Sequence, residues 1–329
     1  MIMKRFNRFV CAALAVAAVA ACDNEPEVVD FPIVGDFTIT AAYPAEWGDP
    51  TYAHGGQGWT ANDKLGVFVT SDGVVQANLP YVPSELCPLI DSPYMEGMKS
   101  YDDENTVVDP VALKAEGTKA GFKQGEHTIY AYTPYTEGAT DYTAVPMPDL
   151  TVQNPSNPIN GLFMPNPAYL FAYAKAEAGS EYSATPVALG NMKPVYTQMT
   201  LMSPTFAADA VGKKVTAITI SADVDIVAKN ATFNLETEKI EGEMSKTVSL
   251  TLPAEGLEIA EGWAGASYDG TSYVVLNIDG NVGLTTEFTF EFVLNDGTKL
   301  TATSAPAGAP MSDAGNLNMY GCIDFSAAN

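Results

Sequence analysis

Apolar and polar residues alternate with a period of two along most of this chain, and that alternation predicts strands from one end to the other. In the stretch Asp36–Tyr43, Phe37, Ile39, Ala41 and Tyr43 share one face, the pattern of a half-buried strand. It stops at Pro44 because proline has no N–H to give to a ladder. A loop bearing His54-Gly55-Gly56 leads to a second strand at Leu65–Val69, and a third is predicted at His127–Tyr135, where Ile129, Ala131 and Thr133 alternate with Thr128, Tyr130 and Tyr132. Between these two, Pro80, Pro83, Pro88, Pro93 and Pro110 and the acidic run Asp102-Asp103-Glu104 predict short strands joined by surface loops. From Val145 to Pro167 prolines dominate again and exclude a helix of any length, since each removes a donor and clashes with the preceding turn.

After Leu189-Gly190-Asn191 the predicted strands lengthen: Val195–Ser203, Val215–Val227, Thr247–Leu252, Tyr273–Ile278, Glu287–Leu294, Lys299–Thr303 and Leu317–Phe325. Phe288, Phe290, Phe292 and Leu294 share a face, and Asn295-Asp296-Gly297 is a hairpin signal. In the last strand Leu317, Met319, Ile323 and Phe325 alternate with Asn318, Tyr320, Cys322 and Asp324. No amphipathic helical stretch of a dozen residues and no fixed-period repeat interrupts this rhythm, so the fold class is all-β. The length predicts two β domains in tandem, over residues 35–189 and 190–329, the second of them a compact antiparallel, immunoglobulin-like sandwich.

The N-terminus changes the picture of where such a fold would sit. Lys4, Arg5 and Arg8 precede an uncharged run, Phe9–Ala21, which has the order of an export signal. Its 13 residues fall short of the roughly 20 that a helix needs to cross hydrocarbon. Val19-Ala20-Ala21-Cys22 resembles the lipobox of bacterial lipoproteins, in which the cysteine is acylated and becomes the first residue. Residues 1–21 are then a lipoprotein signal peptide and 22–34 an acidic tether, with lipidation at Cys22 holding the chain to a bilayer at about 0.8 kcal/mol per buried CH₂. The alternative is an ordinary secretory signal cut after Ala20 or Ala21.

Charge narrows the partners. The whole chain has 40 acidic residues against 16 basic ones and a net charge of −24, which becomes −27 once the three signal cations are removed; no arginine follows Arg8. Such an excess of carboxylate disfavours nucleic acid, whose phosphates need Lys or Arg, and anionic headgroups. With 47% apolar residues the chain nevertheless has the composition of a folded protein. Of four cysteines, only Cys87 and Cys322 remain for a disulfide, which export permits and two cysteines do not establish.

Catalytic chemistry finds little material. The mature chain holds only His54 and His127, and no metalloprotease pair, phosphate loop or nucleophile elbow is present. Gly265-Ala266-Ser267-Tyr268-Asp269 lacks the elbow's second glycine. No catalytic residue, metal or cofactor is predicted. Asp102, Asp103, Glu104 and Asn105, and Asn277, Asp279 and Asn281, offer hard oxygens of the kind calcium takes, but solvated loops and turn chemistry account for them more simply. Trp47, Trp59 and Trp263 could stack on sugars, which leaves a monomeric glycan-binding outer-membrane lipoprotein as the alternative function.

The stretch Trp59–Val69, with Trp59, Asp63 and Leu65-Gly66-Val67-Phe68, resembles the N-terminal domains of the fimbrillin-like lipoproteins of Bacteroidetes, the type V pilins. Ile129-Tyr130-Ala131-Tyr132-Thr133-Pro134-Tyr135 is similar to that family's Ala-Tyr-x-Pro-Tyr strand end. Met192–Met202 resembles the opening of its second domain, and Asp225–Thr237, with Ala231-Thr232-Phe233-Asn234-Leu235, the strand pair that follows. The resemblance implies two transthyretin-like sandwiches, a fimbrium-associated role as stalk, anchor, accessory or tip adhesin at the cell outer membrane, other fimbrial subunits as partners, and a host or bacterial surface ligand. Assembly in that family is strand addition, which makes Phe37, Ile39, Ala41 and Tyr43 at one end and Leu317, Met319, Ile323 and Phe325 at the other the strand-exchange candidates. Polymerising members are cut after an arginine beyond the first strand, whereas here no arginine follows it and the first lysine is Lys64. Either another protease acts between Pro44 and Gly58, or the chain keeps its lipid.

Overall fold

A computed structural model of the chain describes residues 38–42, 63–70, 74–84, 89–91, 99–101, 111–116, 126–153, 167–178, 187–252, 254–260, 272–278, 280–304, 307–310 and 317–325. Their regular structure is almost entirely strand. The first half contributes β1 (Thr38–Ala42), β2 (Leu65–Thr70), β3 (Val74–Pro83), β4 (Leu89–Asp91), β5 (Lys99–Tyr101), β6 (Val111–Ala115), β7 (His127–Thr133), β8 (Val145–Pro146), β9 (Val152–Gln153), β10 (Ala172–Ala178), β11 (Val187–Asn191) and β12 (Lys193–Pro194). The second half contributes β13 (Thr197–Phe206), β14 (Lys214–Ala222), β15 (Val227–Asn234), β16 (Lys239–Ser245), β17 (Thr247–Leu250), β18 (Leu257–Glu258), β19 (Ser272–Leu276), a short helix α1 (Gly280–Thr285), β20 (Phe288–Leu294), β21 (Lys299–Ser304), β22 (Ala307–Pro310) and β23 (Leu317–Phe325).

Within this all-β architecture the first half differs from a pair of facing sheets. Its main strands form one eight-stranded sheet in the order β11-β1-β6-β3-β2-β7-β10-β12. The two ends of that order, Asn191 and Lys193, are separated by a single residue, Met192, so the sheet curls until its ends meet. The inward positions of β1, β2, β7 and β10 fill the interior with Ile39, Ala41, Leu65, Val67, Ile129, Ala131, Ala172 and Ala174. Alanine recurs there because a tightly curled sheet leaves little interior volume.

Outward positions in the middle of β2 and β7 and at the start of β10 are buried too. Phe68, Tyr130, Tyr132, Phe171 and Tyr173 pack with Ala228, Ala231, Phe233 and Leu235, which belong to β15 and its exit in the second half. The rings form a continuous series: Phe68 and Tyr132 lie 6.2 Å apart, Tyr132 and Phe171 5.9 Å, Phe171 and Phe233 5.4 Å, and Phe233 and Tyr173 4.8 Å. These are the offset and tilted separations at which aromatic pairs add about 0.5–1.5 kcal/mol beyond burial.

The two stretches Leu65–Phe68 and Ile129–Tyr135 are neighbours here, with Gly66 opposite Tyr132 in the antiparallel β2–β7 pair. The Tyr132 ring lies over Gly66 so closely that a Cβ there would stand 2.0 Å from one ring carbon. Tyr132 Oη donates to Asn78 Oδ1 at 2.7 Å, Asn78 Nδ2 donates to the Thr136 carbonyl at 2.9 Å, and Thr136 N–H returns to Tyr132 Oη at 3.2 Å. Burial holds the Tyr132 phenol up at about 12, so it stays a donor. Asn78 occupies the left-handed region, φ 50, which asparagine tolerates better than most residues.

The second half is a sandwich. One sheet runs β19-β13-β23-β22 and the other β21-β20-β14-β17-β9, with β18 paired to β14 and a third, small sheet β16-β15-β8. Phe288, Phe290, Phe292 and Leu294 face Met199, Val274, Leu276, Ile323 and Phe325 across the core, as their alternation requires. The expected Asn295-Asp296-Gly297 turn joins β20 to β21, with Gly297 at φ +86; Asp296 lies opposite Lys213 at 3.1 Å. Its carboxyl is pulled to about 2, chiefly by hydrogen bonds from Thr298. The sheets are antiparallel except for three parallel pairs, β1–β11, β13–β23 and β17–β9. The stretch expected as one strand, Val215–Val227, is two: β14 ends at Ala222, and β15 begins at Val227 in a different sheet. The turn between them carries Asp223 and Asp225, whose charges favour the exposed crossing.

One polar link joins the halves at their rim. Glu238, in the turn between β15 and β16 at φ 58, accepts from the Tyr173 hydroxyl and from Lys193 Nζ at 3.4 Å. The Lys193 ammonium also sits 5.5 Å from the Tyr173 ring centre. The Tyr173 hydrogen bond, helped by Lys193, holds the Glu238 carboxyl below its usual range against a smaller opposing effect of burial.

Two outcomes follow from this packing. Gly66→Ala should destabilise by about 1–3 kcal/mol, the usual range for overpacking, because Tyr132 must leave its place between Phe68 and Phe171; an unchanged urea midpoint would show that the ring has room. A carboxyl whose folded pKa is depressed stabilises at neutral pH, and this is lost as pH falls through the folded value. Glu238→Gln should therefore lower the melting temperature at pH 7, and the difference from the parent should close as pH drops below the usual glutamate range. A difference that persists in acid would mean that charge is not what this contact contributes.

Candidate functional site

The strand-exchange candidates are placed at the two ends of the described chain. Ile39 and Ala41 lie in β1 with no exposure at all, while Phe37 and Tyr43 fall outside the described residues, as does Cys22. β1 is not an edge. It is paired parallel to β11, with Ile39 opposite Val187, and antiparallel to β6, with Ile39 opposite Leu113. Taking β1 away would leave unpaired N–H and C=O groups on both neighbours and open the interior that Ile39 and Ala41 fill, the combination of edge and apolar groove that an added strand satisfies.

At the other end β23 is inside its own four-stranded sheet, parallel to β13 and antiparallel to β22. Leu317 and Met319 are placed by register, opposite Pro310 and Gly308 of β22. Ile323 and Phe325 are 1% and 0% exposed, and Phe325 stacks on Phe206 at 5.4 Å and tilts against Phe292 at 4.7 Å. The two sets of candidates thus belong to different cores and are not brought together.

Sequence reasoning passed over the segment that joins those cores. The prolines of Val145–Pro167 exclude a helix and predict no strand by pattern, yet within this stretch β8 pairs with β15 and β9 pairs in parallel with β17. Met147 N–H donates to Ala231 O at 3.0 Å and Leu150 N–H to Ala228 O at 2.9 Å. Leu150 is in the second-half core, 1% exposed. The Gln153 side chain, 2% exposed, donates from Nε2 to Val275 O at 2.6 Å and to Leu150 O at 3.2 Å, and accepts the Val275 N–H at 2.9 Å. Asn277 makes a second amide link: its Oδ1 accepts Ala228 N–H at 2.9 Å and its Nδ2 donates to Val195 O at 2.8 Å. A lone Gln between prolines gives no periodic signal, which is why pattern alone did not find it.

The remaining candidate chemistry is quickly placed. His127 opens β7 and is packed inside, 1% exposed. The Asn277 oxygen considered for calcium is engaged by Ala228, and Asp279, the Asp102–Asn105 run, His54, Trp47, Trp59, Trp263 and Cys87 lie outside the described residues. Among the described residues no group of three His, Cys, Asp or Glu is placed to hold a metal ion, and no helix is long and apolar enough to cross a membrane.

The sequence matches no protein-family model and no curated protein. In structure the chain is similar to a candidate cell adhesion protein of Parabacteroides distasonis, at 11% identity and a TM-score of 0.45, covering 89% of each chain. It is similar to a candidate cell adhesion protein of Bacteroides uniformis, at 13% identity and a TM-score of 0.44, covering 81% of this chain and 83% of that one. A fimbrial assembly protein of Parabacteroides distasonis matches at 12% identity and a TM-score of 0.39, over 88% of this chain and 91% of that one. Identities this low and TM-scores below 0.5 carry no residue role across to this chain.

Proposed function

We propose that this protein is a non-enzymatic surface subunit, fimbrial or fimbria-associated, held to the outer membrane by acylated Cys22 and joined to other subunits by strand addition. The observation that carries the reading is the placement of β1. The first strand after the lipid-bearing cysteine is an internal strand with Ile39 and Ala41 in the core, so its release would create an acceptor groove. The ordered likeness to fimbrillin-like proteins and the small stock of catalytic residues support the same reading. In it residues 1–21 are signal, 22–34 tether, and 35–189 and 190–329 the two β units, with Val145–Gln153 reaching from the first into the second. With no arginine after Arg8, an uncut, lipid-retaining subunit fits better than one matured at arginine. A subunit with a net charge near −27 repels its own copies at long range, so strand pairing must supply the attraction at short range.

The anchor is tested by Cys22→Ala, which should move the protein from the detergent phase to the aqueous phase, with mass spectrometry of the parent showing an acylated N-terminal Cys22; an unmodified N-terminus would end the lipoprotein reading. Fimbriae sheared from cells expressing the parent should carry it, and fimbriae that never do would overturn the subunit role. For the C-terminal candidates, deleting residues 316–329 should unfold the second half, because Ile323 and Phe325 alone contribute roughly 1.5–3 kcal/mol each by burial, a large share of a typical stability of about 5–15 kcal/mol. A truncated chain that folds normally but no longer enters fimbriae would instead identify β23 as a donated strand.

A further inference from the structure

We propose that Gln153 is an edge guard, whose side-chain amide stands in for a neighbouring strand along β19 and keeps that edge from pairing with the β19 of a second copy of this chain. Among the described residues β19 ends its sheet, with β13 on one side and Gln198 opposite Val275. On the other side Val275 gives its N–H to Gln153 Oε1 and its carbonyl accepts from Gln153 Nε2. Those two bonds are the pair that directly opposed residues exchange in an antiparallel ladder, here supplied by one amide. Two residues on, Asn277 N–H is taken by Ile226 O at 2.7 Å, so the closure continues along the edge.

The need for a guard follows from the composition of β19. Ser272-Tyr273-Val274-Val275-Leu276 has no charge and no proline and is rich in β-branched and aromatic residues, which makes an exposed edge adhesive. Other outer strands protect themselves: β16 carries Lys239, Glu241 and Glu243, β21 carries Lys299, and β22 ends in Pro310. β19 has none of these devices, and Val274, Val275 and Leu276 are fully buried as the fold stands. Its sequence is suited to antiparallel pairing with itself about a two-fold centred near Val275, a self-complementary contact. The inference does not depend on fimbrial assembly, since it concerns an edge that neither strand-exchange candidate occupies.

The test uses the soluble Cys22→Ala chain. In it the Val275 amide should exchange with solvent far more slowly than an unstructured amide, although it lies on an outer edge; exchange at the unstructured rate would overturn the proposal without any further variant. Gln153→Leu keeps the side-chain volume and removes both bonds. It should speed Val275 exchange by about ten-fold or more, leave a central amide such as Ile220 of β14 unchanged, and produce a concentration-dependent dimer in sedimentation. Gln153→Glu keeps an acceptor for the Val275 N–H and adds a charge to the edge, so it should stay monomeric. Dimers from both variants, or from neither, would show that Gln153 serves packing alone and does not guard the edge.

Discussion

Burial of both faces of β2, β7 and the start of β10 is the constraint on which the rest of this structure depends. In a strand whose side chains alternate between faces, each residue type is assigned to one of two cores. The small and β-branched residues Val67, Ile129, Ala131, Ala172 and Ala174 fill the interior of the curled sheet. The aromatic ones, Phe68, Tyr130, Tyr132 and Tyr173, form the contact with β15. A one-residue slip would exchange the two sets, pushing tyrosines into an interior sized for alanine. The ring of hydrogen bonds through Tyr132, Asn78 and Thr136 and the space reserved at Gly66 hold that register.

The halves are therefore joined by a core and not by a linker alone. Phe233 from β15 lies between Phe171 and Tyr173, and the reverse connection is made by Val145–Gln153, which lends β8 and β9 to sheets of the second half. Two amides, buried Gln153 and half-buried Asn277, satisfy backbone groups where three sheets approach one another. A buried backbone polar group without a partner costs about 1–3 kcal/mol, so each junction of sheets needs such a device. The surface ion pairs contribute far less, since most of their side chains are around two-fifths exposed or more and such pairs are worth about 0–1 kcal/mol.

In the proposed surface role this arrangement has a functional consequence. Strand addition needs an edge that opens on demand, while every other edge must stay closed. β1 is closed on both sides by pairing, β23 by β13 and β22, and β19 by an amide and a backbone carbonyl. High net negative charge keeps copies apart in solution. Selectivity among edges is thereby built from hydrogen bonding, and long-range repulsion from composition.

The amino-acid sequence determined the all-β class and the alternation that buries Ile39 and Ala41 of β1, Phe288, Phe290, Phe292 and Leu294 of β20, and Ile323 and Phe325 of β23, because alternation with period two is a local property that each strand carries for itself. It also carried the Asn295-Asp296-Gly297 hairpin, whose turn chemistry is set by three adjacent residues. Only the tertiary structure decided that β1 is internal, that the first-half strands close into one curled sheet, that Val215–Val227 breaks between two sheets, and that Val145–Gln153 is a strap. Each of these depends on a partner far along the chain: Val187 for Ile39, Tyr132 for Gly66, Val275 for Gln153. Hydrophobic periodicity tells a strand which face to bury, but the identity of the strand beside it is set by backbone hydrogen bonds, which every sequence can make and none announces.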